Sequence, residues 1–158
     1  MKLLLFISLS LSTAFAGGKV TMKIGLSPMG SFEAKTSKVY GKVKKGKKGY
    51  TTKNLYIETK SLKTGIDLRD KHLKEKLLYK KHPKITIEKG TFKGKSGVAI
   101  INVMGKKKKI KFKGKVVKNK LNFEFDLSMK DFGVKKVKYL GVGAKDKVSI
   151  VGVADISK

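Results

Sequence analysis

The 158-residue chain has no cysteine, no tryptophan and two prolines, and sets only 11 acidic residues against 39 basic ones. Without cysteine there is no disulfide and no thiolate. The fold must therefore rest on its core, and thiol catalysis, Cys-containing zinc sites and anchoring through a lipidated cysteine are excluded. Histidine is confined to His72 and His82, whose spacing is not that of a metal-binding pair. Arginine is almost missing as well: Arg69 is the sole guanidinium. There is no Gly-x-Ser-x-Gly elbow and no phosphate-binding P-loop, and Gly141-Val142-Gly143 lacks the strand-to-helix setting of a nucleotide-binding turn. The carboxylates are dispersed over lysine-rich stretches. These gaps leave little for catalysis.

One long apolar run is present, at the start. Lys2 precedes an apolar stretch from Leu3 to Leu11, and Ala14-Phe15-Ala16 has the form of a cleavage site. Residues 1–16 read as a secretory signal peptide, because the run is shorter than the ~20 apolar residues that span a bilayer. Residues 17–158 are then a single exported, periplasmic domain, long enough to bury a core of its own.

The formal charge of +28 is the compositional extreme. Such an excess suits nucleic acid or an anionic membrane surface. Nucleic acid is disfavoured by export, by the near-absence of arginine and by the spread of lysines over almost every segment. A solvated lysine coat is expected, with anionic membrane as an electrostatic contact.

Beyond residue 18 the chain alternates with period two, the mark of half-buried strands. Val20, Met22, Ile24 and Leu26 interleave with Lys19, Thr21 and Lys23; Ile110, Phe112, Gly114 and Val116 interleave with Lys109, Lys111, Lys113 and Lys115. Leu121, Phe123, Phe125 and Leu127 answer them across Lys118-Asn119-Lys120, and Val148 to Ile156 reads as the last strand. The expected fold is all-β: about eight evenly spaced antiparallel strands forming a barrel or a sandwich, with one helical crossover. A barrel of that size either fills with side chains or holds one small ligand.

The segment 61–88, SLKTGIDLRDKHLKEKLLYKKHPKITIE, breaks the monotony. Asp67 reads as an N-cap with Asp70 completing a capping box, and Leu73 and Leu77 share a face. Pro83 stops the helix. A helix this short must pack onto the sheet to persist.

The same segment resembles the signature of the YceI family of secreted bacterial proteins, through Ser61, Thr64, Arg69, Asp70, His72, Leu73, Leu77, Leu78, Pro83, Ile85 and Thr86. His82 stands at the family's aromatic position and Ile87 at its Phe. Asn102-Val103-Met104-Gly105, Met129-Lys130-Asp131-Phe132-Gly133 and the stretch from Gly143 to Val148 extend the likeness, with Met129 in place of an arginine. The family's early His-Ser strand motif is absent. The resemblance implies an eight-stranded antiparallel lipocalin-like β-barrel, with a short helix closing one end, that holds a polyisoprenoid or similar lipid.

The expected function is accordingly non-enzymatic carriage of an apolar chain, a polyisoprenoid or isoprenoid quinone, with no cofactor beyond that lipid and no metal. Ligand-binding candidates are Phe32, Ile57, Phe112, Phe123, Phe125 and Ile150 inside the barrel. Arg69, Asp70, His72, Leu73 and Leu77 belong to a lid. Arg69 suggests planar, multi-donor recognition that lysine cannot supply, and an internal carboxylate is its expected partner. Two other readings compete: a filled barrel whose lysines dock on anionic membrane or polyanion, and a lipid isomerase or hydrolase using Asp70 and His72.

Overall fold

The computed structural model describes residues 17–136, 138–139 and 141–157; the expected leader, residues 1–16, lies outside them. Lysine-hydrophobe alternation becomes strand almost throughout. A hairpin of β1 (Lys19–Ser27) and β2 (Ser31–Thr36) is followed by the short β3 (Val39–Tyr40) and β4 (Val43–Gly46). β5 (Gly49–Glu58) runs through a 3₁₀ turn (Thr59–Ser61) to the only α-helix among the described residues, α1 (Asp67–Lys76). β6 (Lys84–Lys93), β7 (Ser96–Val103), β8 (Lys106–Val117) and β9 (Lys120–Ser128) form a meander. A second 3₁₀ turn (Met129–Phe132) and β10 (Lys138–Tyr139) lead to β11 (Val142–Ser157).

The meander is built on tight hairpins. Lys118 and Asn119 (φ 48° and 62°) and Met104 and Gly105 (φ 53° and 78°) both occupy the left-handed region, as a two-residue turn matched to strand twist requires.

β11 closes the wall. On one edge it pairs with β9 from Lys147↔Ser128 to Asp155↔Lys120. On the other it pairs with β1 and then, at Ile156↔Val43, with β4. The ring is therefore β11-β4-β5-β6-β7-β8-β9, with β1, β2 and β10 carried outside it and β3 on β5. The expectation of eight antiparallel strands is corrected: seven strands close the ring, and β11–β4 is parallel. The cause is the length of β11. β1 begins opposite Val153, so the last residues of β11 outrun it and satisfy their backbone groups on β4. β11 also starts at Val142, earlier than the expected Val148, because Gly143 and Ala144 pair with Ser27 and Leu26 beyond a bulge. Lys35 and Lys63 exchange backbone hydrogen bonds of 2.8 and 2.9 Å, tying β2 to the segment after β5.

The apolar face points inward on every long strand. Met22, Ile24, Ile101, Val103, Ile110, Leu121, Leu127, Val148 and Ile150 are buried in one cluster. Lys107, Lys109, Lys111, Lys113 and Lys115 project outward and are exposed. A membrane-spanning barrel turns an apolar band outward; this wall turns ammonium groups outward instead.

Two neighbouring strands change parity at the same level. On β5 the inward residues pass from Tyr50 and Thr52 to Leu55 and Ile57, and Asn54 between them takes a left-handed φ of 52°. On β6 they pass from Ile85 and Ile87 to Gly90 and Phe92, with Glu88 left out of the pairing to β7. Each extra residue bends its strand, and together they fold the wall inward.

Glycines facing the interior make room for aromatic rings. Gly152 is paired with Phe123 and Gly97 with Phe112, and a Cβ at either glycine would lie 2.2 Å from the ring's Cζ. Gly152→Val should therefore overpack the interior, at about 1–3 kcal/mol, and lower the thermal midpoint by several degrees. Gly46→Ala, whose added Cβ meets nothing nearer than 3.5 Å, should leave it unchanged. Thermal melts followed by circular dichroism test both.

Candidate functional site

α1 lies against β1, β2 and β11 at one end of the barrel. Arg69, His72, Leu73, Lys76 and Leu77 follow the three-and-four spacing that puts residues on one helix face, and all five line a groove between α1 and the sheet. Asp70 does not. Its carboxylate points backward, where Oδ1 accepts hydrogen bonds from the Thr64 backbone N–H (2.6 Å) and hydroxyl (2.7 Å), and Oδ2 lies 3.4 Å from Lys63 Nζ. The residue before the helix is Ile66, which has no side-chain cap. The expected Asp67–Asp70 capping box is thus replaced by a carboxylate fastening the preceding loop. Asp70 is buried, which by itself raises its pKa, but the Thr64 and Lys63 contacts outweigh burial and hold it below the ordinary aspartate value.

The groove encloses about 460 Å³. Its inner end is apolar, walled by Met22, Leu77 and Met129, and these three also line a chamber of about 70 Å³ inside the ring. That upper chamber is bounded as well by Ile57, Leu62, Ile85, Ile101, Val103 and Ile150. A lower chamber of about 40 Å³ lies beyond it, floored by Tyr50, Phe92 and Phe112. Tyr50 and Phe92 are 6.0 Å apart between ring centroids, and Phe92 stacks on Phe112 at 5.9 Å. Leu55, Ile87, Phe123 and Phe125 line both chambers. They sit at the double bulge and form the constriction between the two. Phe123 and Phe125 stack there with centroids 6.1 Å apart.

Level with the constriction the wall parts. β8 pairs with β9 only from Lys113↔Glu124 to Val117↔Lys120. Earlier β8 residues pair with β7 alone and later β9 residues with β11 alone. Phe112 and Phe125 line both this seam and the lower chamber, and both are half-buried.

Charge is concentrated at the groove's outer end. Arg69, Lys76, Lys135, Lys136 and Lys145 face Glu75 and Asp146. Asp146 is already engaged, accepting from the Ser128 hydroxyl (2.6 Å) and the Lys130 backbone N–H (2.8 Å). The Ser128 bond first, then the Lys130 bond, hold its pKa below the ordinary value. Arg69 stacks its guanidinium over the Phe32 ring, 4.6 Å from the centroid. Among the described residues no carboxylate lies within salt-bridge distance of it. The expected internal carboxylate partner of Arg69 is corrected to an aromatic face, because the nearest acid on its helix, Asp70, is turned toward Thr64.

The structure thus gathers ten of the eleven candidates along one path: Phe32, Arg69, His72 and Leu73 in the groove, Leu77 where it meets the upper chamber, Ile57 and Ile150 in that chamber, Phe123 and Phe125 at the constriction, and Phe112 below. Asp70 stands apart. The residues that sequence reasoning passed over are Met22 and Met129 at the junction and Leu55 and Ile87 at the constriction. The five-residue steps from Tyr50 to Leu55 and from Ile87 to Phe92, odd where strict alternation demands even, were the available signal for the latter pair.

A closed ring with a divided apolar bore and a helix-covered groove at one end defines a small hollow β-barrel protein. A YceI-like domain model matches residues 12–154, and the chain belongs to the YceI-like family. Its fold is similar to that of Burkholderia cenocepacia BcnA (TM-score 0.72, 16% identity, 86% of this chain and 94% of that one). It is also similar to a polyisoprenoid binding domain from Saccharophagus degradans implicated in plant cell wall breakdown (TM-score 0.61, 11% identity, 89% and 95%). A search of curated proteins by sequence gave no match.

Asp70 supplies a test of the loop fastening. A carboxylate with a depressed folded-state pKa contributes stability above its unfolded value, near 3.8, and loses it as pH falls through the folded value. Asp70→Asn should destabilise the protein by about 1–3 kcal/mol at pH 7, with the gap to the parent narrowing as acid is added below pH 4. Urea denaturation across that range measures it; a gap constant with pH would assign the loss to packing.

Proposed function

We propose that this protein is a periplasmic carrier that encloses the hydrocarbon chain of a single-chain lipid, of the polyisoprenoid or isoprenoid quinone type, and performs no chemistry on it. The observation that carries this reading is the shared lining: groove, upper chamber and lower chamber are joined through Met22, Leu77 and Met129 and then through Leu55, Ile87, Phe123 and Phe125. A hydrocarbon chain gains roughly 0.8 kcal/mol for each buried CH₂, so a long apolar path binds without an elaborate polar site. The likeness to a domain described as polyisoprenoid binding supports the choice of chain.

The chambers, at about 40 and 70 Å³, fall well below the roughly 300 Å³ at which pockets begin to hold drug-sized ligands. Loading therefore requires Phe123 and Phe125 to swing apart at the constriction. Catalysis by Asp70 and His72 is disfavoured by their placement, since Asp70 is committed to Thr64 on one side of α1 while His72 borders the groove on the other. The lysine row on β8 favours a secondary electrostatic contact with anionic membrane, as an approach to the lipid.

Mass spectrometry of an organic extract of natively purified protein should return a long-chain lipid near one per molecule. Phe123→Lys, checked for folding by circular dichroism, should return none. A lipid-free extract from the parent protein, or undiminished lipid in the variant, rules out the bore as the site. Liposome association should vanish in 0.5 M salt, on the order of a 4 Å screening length, while extracted lipid stays bound.

A further inference from the structure

The groove carries information about the end of the ligand that stays outside the bore. Arg69 has its guanidinium face covered by the Phe32 ring at 4.6 Å. The donors of a guanidinium lie in its plane, so stacking occupies the face and leaves the N–H edges free to take a carboxylate or phosphate two-pronged. Among the described residues nothing takes them, and no acid reaches Arg69. Asp146, an acid on the opposite wall, has its oxygens occupied by Ser128 and Lys130. Around it stand Lys76, Lys135, Lys136 and Lys145. The rim sets the five cations Arg69, Lys76, Lys135, Lys136 and Lys145 against only Glu75 and Asp146, and it opens directly onto the apolar junction at Met22, Leu77 and Met129. An oily passage ending at an unpaired, pre-oriented guanidinium complements an amphiphile whose head is an anion.

Resting on the carrier reading above, we infer that the ligand's head is anionic, a phosphate or a carboxylate, and that Arg69 binds it edge-on in the groove under α1. A neutral quinone or alcohol of equal chain length is the poorer ligand. Arg69 is a specificity residue, and Lys145 on the facing wall supports it by charge alone. His72 borders the same groove and can donate a hydrogen bond without deciding the sign of the head.

Equilibrium dialysis of delipidated protein against farnesyl phosphate, palmitate, farnesol and hexadecanol, each below its micellar concentration and in 0.15 M salt, tests this. The anionic members should bind at least about tenfold more tightly than the neutral ones, the order expected of a charge-assisted two-pronged contact. Arg69→Gln should remove most of that difference, Arg69→Lys should restore only part of it, and Lys145→Gln should reduce it modestly. Lys109→Gln, on the outer face of β8, should leave it intact. Whether phosphate or carboxylate binds better identifies the class of head, and either order supports the inference. Equal affinity for charged and neutral chains, an unaltered preference in folded Arg69→Gln, or an equal loss in Lys109→Gln overturns the head-group assignment while the carrier reading stands. No binding of any chain by folded protein overturns both.

Discussion

Closure of the ring through β11 is the constraint on which the remaining structure depends. Every long strand has one hydrocarbon face, and an open sheet would leave that face and two rows of unpaired backbone groups in water. β11 prevents this by pairing along both edges, with β9 on one side and β1 then β4 on the other. No disulfide reinforces the join. The charge of +28 opposes compaction through self-repulsion, and ion pairs such as Lys147–Asp126 lie exposed, where screening leaves them little worth. Stability therefore comes from burial inside the closed wall. The sixteen-residue length of β11 is what makes that burial possible.

Closure alone would give a uniform tube. The bulges at Asn54 and Glu88 divide it, because each reverses which residues of its strand point inward and brings Leu55 and Ile87 toward Phe123 and Phe125. The glycines opposite Phe123 and Phe112 let those rings lie flat against the neighbouring strand without closing the bore. At the end under α1 the same economy appears in polar form. Asp70 is spent on holding the 63–64 loop, which leaves the other face of the helix to Arg69, His72 and the leucines.

Much of this was legible in the residues. Strict alternation of hydrophobes with lysines on β8, and with Asn122, Glu124 and Asp126 on β9, identified their inward faces, and the tight hairpin at Lys118-Asn119-Lys120 fixed their pairing. Segment 61–88 announced the helix and its apolar face. Strand count and direction were not legible, since a sequence shows where strands lie and not which edges meet; the parallel contact of β11 with β4 depends on a mismatch in length between β11 and β1. Asp70 was misplaced for a local reason. A carboxylate in the first turn of a helix has two ways to satisfy itself, forward onto helix amides or backward onto a preceding Thr, and Thr64 with its hydroxyl made the backward choice the better one. Arg69 likewise traded an ion pair for the Phe32 ring, a contact between residues 37 positions apart that no local pattern encodes.

The seam between β8 and β9 has a bearing on molecular size. β8 and β9 are laced from their turn only as far as Lys113↔Glu124, so the bore has a side opening beside Phe125, level with the constriction. A vessel with a blind floor is a ruler: it rejects whatever is too long to fit. On the carrier reading, a vessel vented through its flank registers where a chain begins, under α1, and gives a long tail a way out between Phe112 and Phe125. Discrimination then rests at the entrance, and homologous chains that differ only by added repeat units become interchangeable cargo.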